Sequence, residues 1–343
     1  MRADFSGNGA GANGSGVTRK PISWREWLQY GPFLAQVVVT RRCNLTCEYC
    51  FEYDKVSQPV PYEALDERLR MLRQLRAWVV CFIGGEPTLH PELPRLVGRL
   101  RELGFPRRQL ITNGLRLTGD SIEALNAAGL TDMQMSVDGV HRNQSTEKVL
   151  DVLRTRLELL ARLARFKVTL SAVIGSAPPA EVLEVVDFAR AQGFKPRVLL
   201  LHDEAGRVKL SPDELQLFQD VKDRLGSDGR DGADYRDRLI HEGIAPFRCR
   251  SGSRYLYVDE LGMVRWCSQT AELFSKELLS YSLDDLRRQF YSIKACNSTC
   301  SIGCARTASA YDEWRAQPRS VPVHIEADMP QAAPELESGQ LPR

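Results

Sequence analysis

Apolar runs of strand length alternate with amphipathic stretches of helix length along residues 35–201. The strand-like runs fall at residues 35–40, 78–83, 109–112, 132–137, 167–173 and 197–201, the first built around Val37, Val38 and Val39. Helices are predicted between them over residues 62–76, 91–103, 121–128, 146–165 and 182–191. Leu65, Leu69, Leu72 and Leu75 share one face of the first; Val149, Leu153, Leu157 and Leu160 share one face of the fourth. Gly104, Gly129 and Gly193 supply stop signals. A later helix opens at Ser211, with Pro212 at its first position and Glu214 completing a capping box.

Six β-α units are thus countable. Such alternation implies a parallel sheet with helices outside it, and right-handed crossovers curl that sheet toward a barrel. On this topology functional residues gather at the C-terminal ends of the strands. Beyond Cys249 the pattern changes to a short hairpin, with strands at 255–258 and 263–266 around a turn at 259–262. The expected organisation is a flexible tail over 1–30, a barrel core over 31–205, linker helices over 206–246, a cysteine-rich unit over 247–310 and a poorly ordered tail over 311–343.

Composition narrows the partners. With 343 residues and 43% hydrophobic content the chain can bury a substantial core, and 46 basic against 44 acidic residues leave no net field for nucleic acid or an anionic membrane. Neither partner is expected. The first residues show no apolar signal region, so the nine cysteines point to a reducing cytoplasm rather than a disulfide framework.

Three of those cysteines follow the first strand at the spacing Cys43-x3-Cys47-x2-Cys50. Three thiolates on one short loop can hold three corners of an iron-sulfur cube and leave the fourth iron without a protein ligand. The alternative is structural zinc, which needs a fourth N or S ligand; the nearest histidine after the loop is His90.

Cys43, Cys47, aromatic Tyr49 and Cys50 match, in order and spacing, the C-x3-C-x-aromatic-C signature of the radical S-adenosylmethionine (SAM) enzymes, and the chain resembles that family. The resemblance implies a partial (β/α)6 TIM-like barrel with a small cysteine-rich C-terminal extension containing the hairpin. It implies a 4Fe-4S cluster on Cys43, Cys47 and Cys50, with SAM chelating the open iron. One electron would split SAM to a 5'-deoxyadenosyl radical that takes hydrogen from a substrate.

Further elements extend the match. Gly84-Gly85-Glu86-Pro87 after the second strand corresponds to the family motif that supports the methionine end of SAM, where Glu86 can accept from the ligand ammonium. Asn113 after strand three is expected near SAM, although Asn113-Gly114 is equally a good turn. Ser136 and Asp138 after strand four are similar to a SAM-contacting element of SPASM-type relatives, with Lys148 as the basic residue for the SAM carboxylate and Tyr49 beside the adenine. Cys81, inside strand two, reads as a core residue, and His202, Asp203 and Glu204 read as a solvated turn.

Cys249, Gly262 and Cys267 are similar to the C-x9-15-G-x4-C pattern of SPASM and twitch domains, followed by Cys296, Cys300 and Cys304. This implies a second, auxiliary 4Fe-4S cluster on Cys249, Cys267 and two of the last three, with a zinc site as the alternative. The expected activity is radical SAM chemistry on a peptide or small-molecule substrate, with a reductant such as ferredoxin or flavodoxin. About thirty residues precede the first strand, so a peptide would need a separate carrier protein. The alternative from another class is a noncatalytic metal-binding or interaction protein that retains the fold.

Overall fold

The computed structural model describes residues 21–50, 53–202, 208, 210–225 and 230–312, with backbone only at 230–234. Asp203 and Glu204, most of the N-terminal tail and nearly all of the C-terminal one lie outside the described residues.

Six parallel strands form the frame: β1 (Leu34–Thr40), β2 (Val79–Gly84), β3 (Arg107–Thr112), β4 (Asp132–Ser136), β5 (Lys167–Ile174) and β6 (Lys195–Leu200). Helices α2 (Tyr62–Gln74), α3 (Leu93–Glu102), α4 (Gly119–Ala128), α5 (Leu150–Leu163) and α6 (Pro179–Ala191) return the chain between successive strands, preceded by α1 (Trp24–Tyr30). Each boundary falls close to its sequence expectation, except that α1 occupies the end of the expected flexible tail. The helix forms because Ser23 and Glu26 close a reciprocal capping box and Trp27 is buried.

The sheet continues past β1. Strand β7 (Tyr255–Val258) pairs parallel to β1, Leu34 opposite Tyr255 and Val37 opposite Val258, and β8 (Met263–Arg265) and β9 (Lys276–Glu277) follow antiparallel. The order is β6-β5-β4-β3-β2-β1-β7-β8-β9, an open, mostly parallel sheet. The hairpin expected in an extension is therefore built into the barrel sheet, where it covers the edge β1 would otherwise expose. All four residues of β7 are buried.

Side-chain alternation divides the sheet into two faces. Outward positions such as Val37, Val80, Phe82, Leu110, Met133, Leu170 and Val198 join α2–α6 in one apolar core. Inward positions include Val38, Cys81 and Ile83, which pack with Tyr235 and Leu239 of α8 (Arg230–Glu242) and Ala305 and Ala308 of α10 (Gly303–Ala310). Helices α7 (Pro212–Leu225) and α9 (Leu283–Tyr291) complete the structure. Arg254 ties its parts together: 1% exposed, it pairs with Asp312 at 2.7 Å and donates to the carbonyls of Trp27, Leu28 and Gly31 at the end of α1.

Candidate functional site

Backbone packing fixes the cysteine loop to the second strand's end. Gly85 N–H donates to Thr40 O at 2.8 Å and Glu86 N–H to Arg42 O at 2.9 Å. A Cβ on Gly84 would lie 2.0 Å from Thr40 O, and one on Gly85 would lie 2.2 Å from Arg41 O. Only glycine permits this approach, and Gly84 has φ +151 as well. The two glycines therefore serve the contact between the motif and the cysteine loop.

Glu86 joins a third loop. It is 1% exposed; Oε1 accepts from Thr88 N at 2.9 Å and from the Thr88 and Thr112 hydroxyls at 2.6 Å, while Oε2 accepts from Asn113 N at 2.7 Å. Its carboxylate is a cross-brace between the ends of β2 and β3, with protein donors on both oxygens. Pro87 is buried at the start of the one-turn helix Pro87–Leu89. Asn113 Nδ2 donates to Asn44 Oδ1 at 2.8 Å and lies 4.0 Å from Cys43 Sγ, so this amide faces the cysteine loop.

Cys43 and Cys50 are partly exposed and Cys47 is buried. Leu45 N–H reaches Cys43 Sγ at 3.4 Å. Burial pushes the Cys43 thiol up, and Glu86 and Cys47 add to the rise against the Leu45 hydrogen bond and Lys55. A cleft of about 520 Å³ beside the loop is lined by Arg42, Cys43, Asn44, Lys55 and Arg116 among others. His90 is not part of this loop's ligand set: its Nε2 meets Val60 O at 2.8 Å and its Nδ1 accepts from Glu92 N at 3.2 Å.

A buried polar group sits at the end of β4. Asp138 is fully buried; its Oδ2 accepts from the Tyr49 hydroxyl and from Thr146 Oγ1 at 2.8 Å, and stands 3.2 Å from Lys148 Nζ. Lys148 also donates to the Tyr49 hydroxyl and lies 4.8 Å from the ring centroid. Burial and then Asp138 push the Tyr49 phenol up; burial alone would lower the Lys148 ammonium, but Asp138 and Tyr49 raise it. Among the described residues Asp138 Oδ1 has no hydrogen-bond partner. Ser136, the last residue of β4, stands opposite Ser171 of β5. Thr112 belongs to the Thr112-Asn113-Gly114 element at the end of strand three, whereas Thr146 and Asn44 were not foreseen; their only sequence signal was adjacency to the predicted residues.

The remaining cysteines divide. Asn297 holds two segments together, accepting from Cys249 N at 2.5 Å and donating to Phe247 O at 2.7 Å. Burial, with Cys249 adding, pushes the Cys267 thiol up; burial, then Cys249 and Cys267, pushes Cys296 up to about 11; and burial, then Cys249, Cys267 and Cys296, raises Cys300. Ser251 Oγ lies 3.1 Å from Cys249 Sγ and Thr270 Oγ1 3.2 Å from Cys267 Sγ. Cys304 turns elsewhere: Gln36 Nε2 donates to its sulfur at 3.4 Å, and it acts electrostatically on Cys81. Among the described residues no three His, Cys, Asp or Glu side chains gather around one ion-sized point. Among the described residues the nine cysteines form no disulfide.

The profile of the Radical SAM superfamily matches residues 37–203. PqqA peptide cyclase of Gluconobacter oxydans (strain 621H) is 30% identical over 247 residues, covering 67% of this chain and 68% of that one. The chain belongs to the radical SAM superfamily. Another relative, 7,8-dihydro-6-hydroxymethylpterin dimethyltransferase of Methanocaldococcus jannaschii, is 36% identical over 113 residues, covering 31% of this chain and 22% of that one. The chain thus spans from about a fifth to about two thirds of these curated relatives. In fold it is similar to Streptococcus suis SuiB bound to precursor peptide SuiA, with TM-score 0.61, 16% identity and coverage of 77% of this chain and 66% of that one. Native anSMEcpe with bound AdoMet and Cp18Cys peptide gives TM-score 0.56, 17% identity and coverage of 76% and 84%. Among the described residues no helix is long and apolar enough to cross a membrane.

Proposed function

We propose that this radical SAM chain is an enzyme that reductively cleaves SAM and uses the radical to take hydrogen from a peptide or small-molecule substrate. The observation that carries the reading is the convergence at one barrel mouth of the Cys43-Cys47-Cys50 loop, the Gly84–Pro87 motif, Asn113 and the Asp138 group. The donor set fits a 4Fe-4S cluster: three thiols on one loop, with a backbone N–H at 3.4 Å from Cys43 and the Asn113 amide at 4.0 Å, a polar environment of the kind that tunes cluster sulfurs. When bound, the cluster supplies the open iron for SAM and the electron that splits it.

The chain's own residues hold and orient. Glu86 keeps the β2 and β3 loops in one position, and Gly84 and Gly85 let that position touch the cysteine loop. Lys148 is committed to Asp138 and Tyr49, so a SAM carboxylate reaching it would share it with Asp138. An auxiliary 4Fe-4S cluster is assigned to Cys249, Cys267, Cys296 and Cys300. Cys249 acts on Cys267, Cys296 and Cys300, a grouping of thiols that suits an occupant taking them as thiolates, while Cys304 accepts from Gln36. A fully thiolate-ligated cluster suits electron relay.

Substrate class rests on kinship. The PqqA cyclase name and the SuiA-bound SuiB structure favour a peptide. To this we add, from the sequence alone, a ferredoxin- or flavodoxin-type reductant and a cytoplasmic setting. The test is anaerobic reconstitution, iron and sulfide counting, and EPR of the reduced protein with and without SAM. About eight irons and a SAM-dependent change in one cluster signal support the reading. Zinc alone, or a spectrum indifferent to SAM, overturns it.

A further inference from the structure

A cavity of about 800 Å³, of the size that accepts a small ligand, opens at the N-terminal ends of the barrel strands. Its lining takes in inward Gln36, Cys81, Gln109, Gln134 and Arg197 together with outward Leu110, Met133 and Val198 and residues of α5 and α7. Arg236 of α8 enters the same space, as do Gly303 and Cys304 at the start of α10.

The charges in this cavity do not balance. Arg107 is neutralised by Asp132, which accepts both from its Nε at 3.2 Å and from its terminal nitrogen. Arg197 donates only to a neutral partner, Gln134 Oε1, at 2.9 Å. Arg236 donates to the carbonyl of Val198 at 2.8 Å. Among the described residues neither has a carboxylate partner.

The two guanidiniums meet at one point. A Cβ on Gly303 would stand 3.0 Å from Arg197 Nη2 and 3.8 Å from Arg236 Nη2, so both free ends converge where glycine leaves room. Helix α10 begins there with no side-chain cap at Ile302, adding the positive end of a helix. Arg306 lies behind, 5.1 Å from the Tyr235 ring, with its buried Nε lacking a hydrogen-bond partner. Burial lowers the Arg236 pKa, and Arg197 and Arg306 add to the fall against Tyr235. Two half-buried guanidiniums this close repel each other, and an anionic ligand between them relieves that repulsion.

We propose that Arg197 and Arg236 bind an oxyanionic group, a carboxylate or phosphate, in this cavity. Among the described residues its lining includes none of the Cys43-Cys47-Cys50 loop, the Gly84–Pro87 motif or the Asp138 group, so the site is a second one, apart from the barrel mouth. Two guanidiniums offering paired N–H donors match the geometry of such groups.

The anaerobically reconstituted full chain is titrated calorimetrically at fixed ionic strength with glutarate, inorganic phosphate and the neutral diamide of glutaric acid. Expected is binding of one or both anions, no binding of the diamide, and at least tenfold weaker anion binding in Arg197→Gln and Arg236→Gln. Glutarate against phosphate separates the two sources of the oxyanion. In the unmodified protein, the bound anion also shields the Arg197 and Arg236 peptides from phenylglyoxal, read by mass spectrometry, which keeps the test open if either variant fails to fold. Equal binding or shielding by the diamide overturns the proposal, as does competition by saturating SAM, since the anion site would then be SAM's own. Release of 5'-deoxyadenosine by the unmodified chain is measured in parallel. Anion binding without it removes the radical reading and leaves the anion site; the reverse removes the anion site alone.

Discussion

Gln36 donates its amide to Cys304 across 3.4 Å, joining an inward residue of the first barrel strand to the last cysteine of the chain. Gln36 is itself fixed by the Tyr255 hydroxyl on β7, the strand that extends the sheet. On this contact we assign the proposed auxiliary cluster to Cys249, Cys267, Cys296 and Cys300 rather than to Cys304. Cys304→Ala is therefore expected to retain about eight irons per chain, and Cys300→Ala about four, by iron and sulfide analysis. Loss of a cluster in the Cys304 variant would reverse the assignment.

Lys148 and Asp138 are a buried pair shared with Tyr49. Replacing Lys148 with Met strands the fully buried Asp138 carboxylate and is expected to cost about 3–5 kcal/mol. Asp138→Asn in the same chain recovers part of that loss. Urea unfolding of the four proteins gives the coupling energy, and strictly additive losses would mean the pair does not act as a unit.

Arg254 carries a comparable load far from the cysteine loop. It pairs with Asp312 and holds three carbonyls at the end of α1. Arg254→Met is expected to lower stability by about 3–5 kcal/mol and to expose the segment around Trp27 to limited proteolysis. Unchanged proteolysis there would show that α1 is held by its apolar contacts alone.

His141 links the β4 loop to α5 through Asp151, at 2.6 Å. That hydrogen bond, and then the Asp151 charge with help from Glu181 and Glu184, raises the imidazole above its ordinary value. A raised folded-state pKa contributes stability that is complete below the unfolded value of about 6.5 and lost as pH rises through the folded value. The melting-temperature gap between the native chain and His141→Gln is expected at pH 6 and to shrink by pH 8.5. A gap independent of pH would mean that the imidazole charge contributes nothing.

The six β-α units and the ends of most elements were legible because period-two and period-3.6 patterns report burial directly. The one-sided leucines of α2 are buried where the pattern put them. The pairing of β7 with β1 was not legible, since it depends on 214 intervening residues (41–254) and on an edge that no local pattern marks. Nor was the occupation of Glu86: the motif placed it at the site, while its four donors come from Thr88, Thr112 and Asn113 through three-dimensional closure. Polar residues at inward positions of buried strands, Gln36, Gln109, Gln134 and Arg197, were a readable sign of a polar lumen.

The central claim is that the Cys43-Cys47-Cys50 loop supports reductive cleavage of SAM. The anaerobically reconstituted chain is mixed with SAM and dithionite, and 5'-deoxyadenosine is quantified beside a variant with all three cysteines changed to Ala. The account predicts nucleoside from the first protein and none above background from the second. Equal nucleoside from both would contradict it.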